Sequence, residues 1–61
     1  MTLSEAIRVA IRAARHTADH RYIVYEEQEY FVARDEELDT YFAGAQIIGA
    51  VDPDGQYSSA H

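Results

Sequence analysis

The sequence predicts an α+β fold: a small two-layer α/β sandwich in the order α-β-β-α-β(-β), with a mainly antiparallel sheet and two helices on one face. Three observations predict it. Apolar residues recur at helical spacing from Leu3 to Ala18. Two β-rich runs flank a polar tip between Arg21 and Arg34. A second, shorter helical spacing from Leu38 to Ala45 then leads into the strand-like run Gln46–Val51.

Thr2-Leu3-Ser4-Glu5 has the form of a capping box, in which Thr2 accepts from the Glu5 amide and Glu5 reaches back. Leu3, Ile7, Ala10, Ile11, Ala14 and Ala18 then form one stripe, rich in alanine and suited to close contact with a sheet. Arg8, Arg12 and Arg15 share the opposite side, with expected pairs Glu5–Arg8 and Arg15–Asp19. The hairpin follows almost at once. Tyr22–Tyr25 and Tyr30–Val32 are its strands. A Glu27-Gln28 loop would set Glu26 opposite Glu29, Tyr25 opposite Tyr30, Val24 opposite Phe31 and Ile23 opposite Val32. The tip lacks the Asn-Gly or Asp-Gly pair of a two-residue turn, so its turn type is open. Both hairpin faces carry apolar residues. The expectation is that the Val24/Phe31 face is core and that Tyr25 and Tyr30 are partly exposed.

Asp35 is read as the N-cap of the second helix, with Glu36 and Glu37 in its first turn, where the macrodipole favours acids. Leu38, Tyr41, Phe42 and Ala45 supply its apolar face, and Gly44 its left-handed end. Asp52-Pro53-Asp54-Gly55 is type I turn chemistry. Gln56-Tyr57 can begin an edge strand, and Ser58–His61 reads as a frayed tail. Residues 1–61 are expected to form a single domain, of a size that gives marginal stability.

There is no cysteine, so no disulfide or thiolate metal site. No apolar run approaches the ~20 residues of a membrane span, and no signal-peptide pattern precedes the first helix. The expected location is cytoplasmic. Eleven acids against five arginines give a net charge of −6. The charge is unevenly spread. Residues 1–21 carry four arginines against Glu5 and Asp19, leaving +2, and residues 22–61 carry nine acids against Arg34, leaving −8. Such a field repels nucleic acid and attracts basic partners.

His16 and His20 have the i, i+4 spacing of a zinc pair. They sit at a helix end with Asp19 in place of the glutamate of an H-x-x-E-H motif, so two solvent-exposed histidines are the better reading. Asp52-x-Asp54-Gly55 has only a fragment of a calcium loop and lacks its bidentate glutamate. No metal or other cofactor is expected. No Gly-rich phosphate loop or nucleophile motif is visible, and so short a chain rarely encloses the pocket that tunes a general acid. A non-enzymatic role is expected. The arginine stripe of the first helix has no interleaved aromatics, so direct nucleic-acid binding is not expected.

The acidic set stands out. Glu26, Glu27, Glu29, Asp35, Glu36, Glu37 and Asp39 place seven carboxylates in fourteen residues. Carboxylates two apart on a strand lie about 6.5–7 Å apart, comparable with phosphates along a nucleic-acid strand. Tyr25 and Tyr30 would add amphipathic anchors of the kind enriched in interfaces. In size, in the charge of residues 22–61 and in the clusters Glu26-Glu27-Gln28-Glu29 and Asp35-Glu36-Glu37-Leu38-Asp39, the chain resembles small acidic inhibitors of phages and mobile elements, including anti-CRISPR and anti-restriction proteins that mimic DNA. The resemblance implies an inhibitor that occupies a basic nucleic-acid-binding surface of a partner protein or effector complex. The alternative is a small regulatory or antitoxin-like module bound through apolar and tyrosine contacts. A monomer or weak dimer is expected in either case.

Overall fold

The computed structural model describes residues 1–60. One helix, α1 (Leu3–Thr17), precedes the strands β1 (Arg21–Glu26) and β2 (Glu29–Ala33). A 3-10 turn at Asp35–Glu37 opens an irregular crossover, followed by β3 (Gln46–Val51) and β4 (Tyr57–Ser59). The four strands form one sheet in the order β2-β1-β3-β4, and all neighbours are antiparallel.

The helix begins as its sequence requires. Glu5 N donates to Thr2 Oγ1 at 3.2 Å, and Thr2 N donates to Glu5 Oε1 at 2.8 Å. Glu5 is thereby turned towards the helix start and forms no ion pair with Arg8. The other end closes at Ala18, which is left-handed at φ 57° and donates its N–H to the Ala14 carbonyl. Alanines at i, i+4 and i+8 (Ala6, Ala10, Ala14) have no exposed surface and form the contact stripe. Leu3, Ile7 and Ile11 flank it. Small side chains let the helix axis lie close to the sheet, where Ile23 and Val51 are also fully buried. Ala18, expected on that stripe, is exposed because the helix has already ended.

The hairpin has the register that its two-residue loop demands, from Tyr22↔Ala33 through Tyr25↔Tyr30 to Glu26↔Glu29. The loop residues Glu27 and Gln28 both have positive φ, 52° and 63°. That is the geometry of a type I′ turn, which follows the right-handed twist of the strands. It is built here without the glycine that would relieve it.

The Val24/Phe31 face is core and Tyr25 and Tyr30 are partly exposed, as expected, but the cover of that face differs. The helix does not lie on the Val24/Phe31 face but on the opposite one, over Ile23 with Tyr30 and Val32 at its margin. On the Val24/Phe31 face, Val24 and Ala33 are fully buried beneath Phe42, with Phe31, Leu38 and Ala45 around them. The sheet is therefore covered on both sides, by α1 on one and by residues 34–45 on the other. Tyr25 and Tyr30 are half-buried, with ring centroids 4.9 Å apart.

The covering segment is not a second helix, so there are not two helices on one face. Its hydrogen bonds run mostly to the third residue back: Leu38 N to Asp35 O at 3.2 Å, Thr40 N to Glu37 O at 3.3 Å and Ala43 N to Thr40 O at 3.2 Å. Asp35 does not cap it. Arg34 holds the cap position, and its N–H donates to Glu37 Oε1 at 2.8 Å. Asp39, Thr40, Tyr41, Phe42 and Gly44 are all weak helix formers, and so short a helix must also bear the nucleation cost. Anchoring Phe42 in the core fixes the path instead.

β3 carries one extra residue relative to β1. Ile23 faces Gly49 but Val24 faces Ile47, leaving Ile48 as a bulge that turns into the helix-side core. Gly49 is required there, since a Cβ would lie 2.6 Å from the Tyr57 ring and 2.7 Å from the Ser58 carbonyl. The Asp52–Gly55 turn forms as expected, with Gly55 N donating to Asp52 O at 2.8 Å and Asp54 N to Asp52 Oδ1 at 3.0 Å. Arg15 Nε donates to the Asp54 carbonyl at 3.2 Å instead of pairing with Asp19. The tail is less frayed than expected, because Ser58 and Ser59 pair with Ala50 and Gly49. His61 lies outside the described residues.

Candidate functional site

Strand alternation assigns the acidic residues to a side of the sheet. Glu26 and Glu29 are a cross-strand pair two residues beyond Val24/Phe31, and so share the face covered by the crossover. Asp35, Glu36, Glu37 and Asp39 belong to that crossover itself. The exposed arginines Arg8 and Arg12 project from the outer side of α1, across the sheet. The molecule thus has an acidic crossover side and a basic helix side.

The acids do not form one row. The tip and the start of the crossover lie at opposite ends of β2. Asp35 is six positions beyond Glu29, about 20 Å at the rise of a strand. Glu27 lies in the turn rather than in a strand, so no two tip carboxylates have the spacing of alternate residues on one strand. Several acids also have local partners. Glu29 Oε2 is 3.5 Å from the N-terminal amine, and Arg34 Nε is 3.4 Å from Glu36 Oε1 and 3.9 Å from Glu37 Oε1. Asp35 lies beside the Tyr22 hydroxyl. Burial first, and then the Asp35 charge, hold the Tyr22 pKa above the usual phenol range. Among the described residues, Glu26, Glu27 and Asp39 have no ion-pair partner.

Two apolar side chains join the acidic side unforeseen. Tyr41 is 77 % exposed and packs edge-on against Phe42, with centroids 4.8 Å apart, and Ile47 is 43 % exposed. Helical spacing turns Tyr41 inward with Leu38 and Phe42. The signal against that was local: in a segment too weak to be helical, adjacent aromatics point apart, and Phe42 takes the core.

A polar cleft of about 460 Å³ opens between the α1–β1 loop and the start of the crossover, lined by Asp19, His20, Arg21, Tyr22, Arg34 and Asp35 among others. Arg21 is 9 % exposed, and its Nη1 donates to the His20 carbonyl at 3.1 Å. The charges in this cleft are mixed, so it does not select one sign of ligand. His16 and His20 no longer share a helical face, since His20 follows the helix end. Among the described residues, no group of three or more His, Asp or Glu side chains is placed to hold a metal ion. No helix of the described residues is long and apolar enough to cross a membrane. No protein-family model, curated protein or solved structure matches the chain.

Proposed function

We propose that the crossover side is a docking surface for a basic, nucleic-acid-binding protein, and that the chain acts there as a non-enzymatic inhibitor by occupying the groove that nucleic acid would use. The observation that carries this reading is the segregation of charge by the sheet. Glu26 belongs to the crossover face, Asp39 lies on the crossover, and Glu27 extends the tip, all three without an ion-pair partner among the described residues, while Arg8 and Arg12 lie across the sheet and Glu29 is paired with the N-terminal amine. Tyr41, 77 % exposed on the crossover, supplies an amphipathic anchor with little side-chain entropy to lose. Clusters about 20 Å apart would contact two separate stretches of a groove rather than imitate a continuous phosphate row. In the anti-CRISPR form of the proposal, the groove is the DNA-entry or guide channel of an effector complex.

A second reading has its own support. Tyr41 and Ile47 are large exposed apolar groups on the same side. A regulatory module of the antitoxin type would bind mainly through them, with the acids as a rim. Charge reversal separates the two. Glu26→Lys, Glu27→Lys and Asp39→Lys together should weaken capture of the partner about tenfold or more if the acids engage a basic groove. Tyr41→Ala should be the costlier change if the apolar contacts dominate.

A further inference from the structure

We propose that β2 is a self-association edge, and that two copies of the chain join there through an antiparallel β2–β2′ pairing centred on Phe31. The sheet has two open edges, β2 and β4. β4 has only three residues, two of them exposed serines, so it offers a short polar edge of the kind that resists pairing. β2 has none of these protections. Its residues Tyr30, Phe31 and Val32 are β-formers, without proline, lysine or bulge, and all three are half-buried.

The hydrogen-bonding groups select the register. In a hairpin with a two-residue loop, Glu26 and Glu29 form the closing hydrogen-bonded pair, and pairs alternate from there. Glu29, Phe31 and Ala33 therefore bond to β1, while Tyr30 and Val32 direct N–H and C=O outwards from the edge. Arg34 would be the next outward residue, but its N–H is taken by Glu37 Oε1 and its carbonyl accepts from Glu37 N at 3.0 Å. Two adjacent outward residues remain, with four polar groups. A two-fold axis perpendicular to the sheet satisfies all four only when Phe31 faces Phe31′. Tyr30 then exchanges bonds with Val32′, and Val32 with Tyr30′. An axis at Tyr30 or at Val32 leaves half of them unused.

The side chains fit the same register. Phe31 meets its copy in a close non-hydrogen-bonded pair on the crossover face, and Tyr30 meets Val32′ on the helix face. Glu29 falls opposite Ala33′, so no like charges oppose. The copies still repel as whole molecules, each carrying −6. Added salt screens this, so the dimer should tighten as salt rises, the opposite of docking through the acidic side. The two proposals therefore fail independently.

The test is sedimentation of the wild-type chain over a range of concentration at low and high salt, together with amide hydrogen exchange at both ends of that range. The expected result is a monomer–dimer equilibrium that strengthens with salt, with new protection at the Tyr30 and Val32 amides. Val32→Pro places its ring at an outward N–H that makes no bond to β1, and should abolish the dimer in a chain that circular dichroism shows to be folded. If that variant unfolds, the wild-type exchange pattern decides. A chain that stays monomeric at the highest concentration and salt overturns the proposal. So does a dimer that weakens with salt, or one whose protected amides lie on β4 or the crossover.

Discussion

Single residues carry strain and charge that mutation can read directly. Gln28 occupies the second position of a type I′ turn at φ 63°, where a side chain costs about 1–2 kcal/mol. Glycine removes that cost but adds freedom to the unfolded chain, so Gln28→Gly should stabilise the fold by about 0.5–1 kcal/mol. Urea unfolding at unchanged m-value measures it. Glu5 is the second case. Hydrogen bonds from Thr2 hold its carboxyl below the ordinary carboxylate value. A carboxyl with a depressed folded pKa binds fewer protons in the folded state than in the unfolded one. Its contribution is thus complete above its unfolded pKa and is lost as pH falls through the folded pKa. Helix content followed by circular dichroism should therefore decline in acid with a component that Glu5→Gln removes. An unchanged acid profile in that variant would show that the Glu5 charge adds nothing to the capping box.

At the scale of elements, the crossover is the weak joint. It has no regular helix, and Phe42 is its one fully inserted side chain, 5.4 Å from Phe31 between ring centroids. Phe42→Ala should cost about 3 kcal/mol, a large share of the stability of so small a chain. Thermal unfolding measures that loss, and hydrogen exchange should show residues 35–45 opening before the sheet. The contrast between this segment and the hairpin explains what could be read from the residues. The Thr2/Glu5 box, the hairpin register and the Asp52–Gly55 turn are local, so neighbouring residues determine them. The crossover obeys a distant demand, the covering of Val24 and Ala33, which overrides the helical spacing of Leu38, Tyr41, Phe42 and Ala45. The side of the sheet taken by the helix was not legible either. A hairpin apolar on both faces calls for cover on both, as here, and does not say which cover goes where. For the candidate site, the acidic residues were legible from charge alone. Their separation to opposite ends of β2, and the exposure of Tyr41, depended on the hairpin geometry and on Phe42.

The whole molecule is an electric dipole built on a sheet: Arg8 and Arg12 on one broad side, the tip and crossover acids on the other. We propose that its acidic side occupies a groove made for nucleic acid. Partner binding should then release ions from the basic site, so affinity must fall steeply with salt and nucleic acid must compete. The direct measurement is the affinity of this chain for its captured partner across a salt series, with and without labelled nucleic acid. The expected result is a steep loss of affinity with salt, mutual displacement by nucleic acid, and a shallower salt response after charge reversal at Glu26, Glu27 and Asp39. Binding that is indifferent to salt, or a complex in which partner, nucleic acid and this chain bind together, would contradict it.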